Sequence, residues 1–174
     1  MGATITSVPE VVRSLDLVSG GVAQTRRLGR RLGELLRPGD IVLLEGEFGA
    51  GKTVLSQGVG RGLGVSDYIT SPSFTLINEY EASAARGGFR VYHIDLYRLE
   101  SVAEALDLGL LDYLGGEGVC LVEWAERVRP LLPPEYLLVR LAVAGTTRRR
   151  LRMEAYGERH GEVLDRFAAV VAGG

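Results

Sequence analysis

Gly46-Glu47-Phe48-Gly49-Ala50-Gly51-Lys52-Thr53 fits the pattern G-x-x-x-x-G-K-S/T without a gap. It follows the apolar run Ile41-Val42-Leu43-Leu44 and precedes a segment, Thr53 to Leu63, that can be a helix. Strand, loop and helix together are the surroundings a phosphate-binding loop needs, and they count against a glycine-rich turn that holds nothing. The glycines open backbone conformations closed to other residues, so successive N–H groups can turn inward around phosphates at the positive end of the helix. Lys52 is then expected to reach the β- and γ-phosphates, and Thr53 to place its hydroxyl on a magnesium ion bridging them. Of the 20 cationic residues, Lys52 is the only lysine. Arginine's planar fork suits most surface roles, whereas a tight phosphate nest takes a compact charge on a flexible stem.

The 174 residues predict one domain with a real core, and the 46% hydrophobic content is that of a globular chain. A net charge of -2 gives no general electrostatic reason to bind nucleic acid. Cys120 is the single cysteine, which excludes an intrachain disulfide, and two histidines do not make a zinc cluster. No segment approaches the roughly 20 apolar residues that span a bilayer, and the N-terminus lacks the layout of a signal peptide. A soluble protein of the reducing cytoplasm, with no membrane partner, is expected.

Around the phosphate loop the chain reads as alternating elements. Val12 to Val18 forms a first strand, with Ser19 as N-cap of a helix over Val22 to Leu36. The arginines of that helix read as a solvated face or as an adenosine or protein contact. Pro38-Gly39-Asp40 turns into the phosphate-loop strand, and Gly60, Gly62 and Gly64 punctuate the end of the following helix. Thr70-Ser71-Pro72-Ser73-Phe74-Thr75 reads equally as a hydroxyl-rich switch near the γ-phosphate or as a turn around Pro72. Phe74 to Glu81 and Phe89 to Asp95 predict an antiparallel hairpin. Asp95, at a strand end, can reach a metal-bound water, or can cap the turn or pair with Arg98. His93 reads as a packed or hydrogen-bonded strand residue. Ser101 to Glu104 is a capping box opening a helix that Gly109 ends.

Val119-Cys120-Leu121-Val122-Glu123-Trp124 is a buried apolar strand with an acid at its carboxyl end. It has the form of a Walker B strand, in which Glu123 can hold magnesium opposite Thr53, with a merely structural glutamate as the alternative. Cys120, in mid-strand, reads as core. Ala125 to Leu132 predicts a short helix. Tyr136 to Val143 and Arg149 to Tyr156 read as paired strands, and Glu158 to Val170 as an amphipathic helix. Strands and helices alternating about a phosphate loop predict an α/β, P-loop NTPase-like three-layer sandwich, with a mixed sheet of parallel core and antiparallel hairpins.

The phosphate loop, Thr70 to Leu76, Tyr92-His93-Ile94-Asp95-Leu96-Tyr97-Arg98-Leu99 and Leu121-Val122-Glu123-Trp124, in this order and spacing, resemble the TsaE (YjeE-type) family of bacterial ATPases. The resemblance implies a role in making threonylcarbamoyladenosine in tRNA, docked on a TsaD-type transferase and its TsaB-type partner, with tRNA met indirectly through that complex. It implies ATP and Mg2+ as cofactors. Gly49, Ala50, Gly51, Lys52, Thr53 and Val54 would hold the phosphates, Thr53 and Glu123 the magnesium ion, and Lys52, Asp95 and Glu123 would serve catalysis. Trp124 would lie beside the nucleotide, Val22 and Thr25 near adenosine, and Arg149 near the nucleotide in a register uncertain by one residue. Val54 and Ser73 depart from the family's usual hydroxyl and Thr.

Other functions can be weighed on the same residues. A GTPase needs an N-K-x-D motif, and the only lysine is already in the phosphate loop. A small-molecule or nucleotide kinase would need an arginine-bearing lid, for which Thr146 to Arg152 is the sole candidate. An ATP-gated binding module would use occupancy alone. Weak ATPase activity of the isolated chain is expected, because no arginine finger or positioned base is evident.

Overall fold

The computed structural model describes residues 8–72 and 76–174. Expectations that fall on Ser73, Phe74 and Thr75 lie outside the described residues. The elements run β1 (Val11–Ser19), α1 (Val22–Gly33), β2 (Ile41–Glu45), α2 (Lys52–Gly62), β3 (Ile77–Glu81), β4 (Arg90–Asp95), α3 (Val102–Asp107), α4 (Leu110–Leu114), β5 (Val119–Glu123), β6 (Tyr136–Val143), β7 (Arg149–Tyr156) and α5 (Glu158–Ala172), with 3-10 turns at Ala84–Arg86 and Ala125–Leu131. The strands form one seven-stranded sheet in the order β1-β7-β6-β2-β5-β4-β3. Pairing is parallel for β6-β2, β2-β5 and β5-β4, and antiparallel for β1-β7, β7-β6 and β4-β3.

The central strands read as unbroken apolar runs because both faces are covered. Along β2, Val42 and Leu44 pack with Leu28, Leu32, Leu55, Val59 and Phe167 on the face carrying α1, α2 and α5. Ile41 and Leu43 pack on the opposite face with Ile94, Ala105, Leu110, Leu114 and Val128. At the start of β2, Arg159 of α5 donates to both oxygens of buried Asp40, at 3.0 and 2.7 Å, and so pins the last helix to the central strand. Among the described residues no helix is long and apolar enough to cross a membrane.

Several local expectations change. Ser19 does not cap α1. Gly21 is the N-cap residue, and the Ser19 hydroxyl instead bonds that of Thr25 at 2.7 Å. The helix stops at Gly33 rather than Leu36, where the guanidinium of Arg86 donates to the carbonyls of Gly33, Glu34 and Leu36. The Ser101 capping box closes on one side only: Ser101 Oγ accepts the Glu104 N–H, but the Glu104 carboxylate accepts from Glu100 N–H. The run after Trp124 is 3-10 and broken at Val128, not a helix through Leu132.

The glycines at the end of α2 do more than punctuate it. Helix α2 ends at Gly62 and Gly64 follows in the left-handed conformation, as expected, while Gly60 and Gly62 are also buried. A Cβ at Gly58 would stand 2.2 Å from the Arg26 carbonyl oxygen, and at Gly62 2.2 Å from that of Arg30. Across the same seam, a Cβ at Gly29 would be 2.3 Å from the Leu55 oxygen and at Gly33 2.2 Å from the Val59 oxygen. Two small-x-x-x-small pairs thus bring the backbones of α1 and α2 into direct contact. Replacing Gly58 by Ala should therefore cost about 2–3 kcal/mol in denaturant unfolding, since backbone atoms cannot yield as a side chain would. Gly145→Ala, whose new Cβ meets only the Arg148 side chain, should stay within about 0.5 kcal/mol.

Candidate functional site

The carboxyl ends of the parallel strands converge where α2 begins. Gly46, Gly49 and Gly51 of the loop have φ of 151°, 80° and 105°, so each uses the freedom glycine provides, and Gly51 is the N-cap of α2. Lys52 is buried, and its ammonium donates to the carbonyls of Gly46 and Glu47, the latter at 3.1 Å. The loop's one cation thereby lies across the mouth of the loop.

Gly49, Gly51, Lys52, Thr53 and Val54 line a cavity of about 250 Å³ together with Phe48, Ser71, Asp95, Glu123 and Trp124. Ala50 is buried behind the loop and takes no part in that lining. The acids arrive from neighbouring parallel strands in matched register, Asp95 opposite Glu123. Glu123 is only 3% exposed. Its Oε1 faces Nε2 of the fully buried His93 at 2.9 Å, while the other ring nitrogen meets the Thr70 carbonyl at 3.1 Å. The imidazole thus gives the buried carboxylate a hydrogen-bond partner.

Asp95 is half-buried. Its Oδ1 accepts the Tyr97 N–H at 2.9 Å, the turn-capping bond anticipated for it, and its Oδ2 accepts from the Ser71 hydroxyl at 3.4 Å. It also lines the cavity, so the capping and site readings of Asp95 coexist. Burial raises its carboxyl above the ordinary value, outweighing the Tyr97 N–H bond; the charge of Glu123 raises it further.

An aromatic rim completes the mouth. Trp124 occupies the left-handed region at φ 60°, ψ 36°, a strained setting for a bulky residue. Its ring lies 5.0 Å from Tyr97, 5.6 Å from Phe48 and 5.1 Å from the Lys52 ammonium. Phe48, 69% exposed, and Tyr97 were not foreseen; an aromatic inside a glycine-rich loop was the available signal. His93 was foreseen as hydrogen-bonded but not as the partner of Glu123. Its lodging in a buried apolar run, where both ring nitrogens need partners, was the clue.

Of the adenosine-side candidates, Thr25 is buried, and a Cβ on Gly51 would stand 3.9 Å from its methyl group. Val22 is 59% exposed at the start of α1 and outside the cavity lining. Arg149 donates to the Gly49 carbonyl at 3.3 Å, which ties β7 to the loop. Arg152 instead bonds Asp16 and Glu154, and Arg140 bonds Glu154 and Glu45, as a charge row across β1, β7, β6 and β2. Burial alone would raise Glu154, but the bonds from Arg152 and Arg140 prevail and hold it below the usual range. Cys120 is buried with its thiol pushed up to about 12 by burial, which suits core and not reactivity.

Comparison with known proteins agrees with this arrangement. Residues 20–151 match the sequence profile described as "Threonylcarbamoyl adenosine biosynthesis protein TsaE". The chain is 40% identical over 137 residues to the tRNA threonylcarbamoyladenosine biosynthesis protein TsaE of Bacillus subtilis, covering 79% of this chain and 83% of that one. It is 48% identical over 121 residues to the Nostoc sp. protein of the same name, covering 67% and 71%. The crystal structure of Bacillus subtilis YdiB superposes with a TM-score of 0.76 at 34% identity, covering 92% of this chain and 97% of that one. With phosphate loop, strand order and paired acids in place, the chain belongs to the TsaE family.

Proposed function

We propose that the protein binds ATP with magnesium at this cavity and hydrolyses it slowly, as the ATPase component of the tRNA threonylcarbamoyladenosine machinery. In this reading a TsaD-type transferase with its TsaB-type partner accelerates or draws on the turnover, and tRNA is met through that complex. The observation that carries the proposal is the convergence of Lys52, Thr53, Asp95 and Glu123, from α2, β4 and β5, on one cavity beside the glycine loop.

The residues present fit magnesium. Among the described residues no three or more His, Cys, Asp and Glu gather into a metal cage. Magnesium is commonly held by one or two protein groups, with phosphates and water completing its shell. Thr53 and Glu123 would supply those groups, and the ion would neutralise charge on the phosphates during transfer. Lys52, on exchanging the Gly46 and Glu47 carbonyls for phosphate oxygens, would cancel further charge. Asp95, beside Ser71, would orient a water, and Trp124 and Phe48 would shield the mouth. For the kinase alternative, the sole lid candidate, residues 146–152, runs through the β6-β7 hairpin, closed by the Ala144 N–H to Arg148 carbonyl bond at 3.0 Å, which favours the hydrolase reading.

Asp95 carries a stability cost. Folding raises its value, so the penalty is absent well below the unfolded value of 3.8, grows as pH rises from there, and is complete above the folded value. Asp95→Asn should therefore stabilise the chain at neutral pH by under about 1 kcal/mol, discounted for partial exposure, and the gain should vanish near pH 3 in urea unfolding. A variant less stable than the parent at neutral pH would contradict this. In calorimetry, Lys52→Ala should weaken ATP binding by about 100-fold or more. Turnover of the isolated chain should be slow and rise by about 10-fold or more when both partner proteins are added; fast turnover indifferent to them would sink the proposal.

A further inference from the structure

The alternation of β4 places His93 and Asp95 on one face of the sheet, the face on which Val91 and Leu121 pack beneath α1 and α2. Asp95 is exposed to the cavity, but His93 is fully buried and does not line it. Its ring is nevertheless fixed at both nitrogens, by Glu123 Oε1 at 2.9 Å and by the Thr70 carbonyl at 3.1 Å. That same carbonyl also accepts from Asn78 Nδ2 at 3.4 Å, and the Thr70 N–H donates to the Tyr80 hydroxyl at 3.3 Å. One residue on, Ser71 reaches Asp95. A single buried ring therefore links the carboxylate on β5 to the segment that touches the other acid.

We infer that His93 is a positioning residue: it holds Oε1 of Glu123 so that the carboxylate's other oxygen is presented to the ion, and it sets the place of Thr70 and Ser71 by the same ring. The inference rests on the magnesium reading of Glu123. The Glu123 carboxylate has no other hydrogen-bond partner among the described residues, so without the imidazole it would be free to rotate about its terminal torsion. A hydrogen bond from behind, which orients a ligating group, is commonly worth 10–100-fold in metal affinity. The ring's second bond makes the effect bidirectional. Any shift of Glu123 on ion binding is passed to Thr70, and any displacement of Thr70 is passed back.

Two substitutions separate the two bonds. The Asn side chain reaches where the near ring nitrogen sat, and the Gln side chain where the far one sat. His93→Asn can still meet Thr70 but not Glu123; His93→Gln can still meet Glu123 but not Thr70. The measurement is ATP affinity by calorimetry in magnesium and in EDTA, with amide exchange at Thr70 read alongside. His93→Asn should lose about 10-fold or more of the magnesium-dependent gain in affinity while its EDTA affinity is unchanged. His93→Gln should keep that gain within about threefold but exchange faster at Thr70. An unchanged gain in His93→Asn, or an equal loss in both variants, would overturn the inference and leave His93 a core filler. If His93→Asn shows no cooperative melt, His93→Gln decides: a retained gain with faster exchange supports the linkage, and a lost gain refutes it. Binding in EDTA that depends on Lys52 reports on the nucleotide reading separately, so failure of one is not failure of the other.

Discussion

The parallel pairing of Ile41–Glu45 with Val119–Glu123, and of the latter with Arg90–Asp95, is the constraint from which the site follows. Leu44 stands beside Glu123 and Glu123 beside Asp95, so the two acids meet the phosphate loop as it leaves β2. Side chains alternate along a strand, and a slip of one residue would turn Glu123 to the opposite face, away from α2. Val42 and Leu44 on one side and Ile41 and Leu43 on the other fill two separate cores, which makes such a slip costly.

Above that register lies a second restriction, the backbone contact of α1 with α2. It holds the helix that begins at Lys52 close against its neighbour, and so keeps Thr25 beside Gly51 and α1 close over the loop. At the mouth the chain accepts features that a merely stable protein would avoid: Trp124 in the left-handed region, a carboxylate nearly sealed from water, and an acid raised by its own burial. Their gathering around one cavity is the pattern of a functional site.

Much of this was legible in the chain. The phosphate loop and the run ending at Glu123 announce themselves because a buried parallel strand must be apolar throughout, and β6, β7 and α5 because alternation and helical spacing persist for eight or more residues. Less legible were contacts between elements distant in sequence. Gly62 read as punctuation because glycine lowers helix propensity, and it does end α2, while its use in packing shows only when α1 is laid across it. Ser19 read as a cap because the hydroxyl bond to Thr25 depends on how β1 turns into α1. The Arg148 to Arg152 cluster could not be sorted until the strands were paired, which sent Arg149 to the loop and Arg152 to Asp16 and Glu154. His93 is the clearest case: its type and burial were readable, its partner was not.

The central claim is that the polyphosphate and its ion sit among Lys52, Thr53 and Glu123. The most direct measurement is anomalous diffraction from crystals grown with manganese and a non-hydrolysable ATP analogue. The account predicts one anomalous peak between the Thr53 hydroxyl and the Glu123 carboxylate, with the Lys52 ammonium moved from the Gly46 and Glu47 carbonyls onto phosphate. A peak elsewhere, or an occupied site with Lys52 still on those carbonyls, would contradict it.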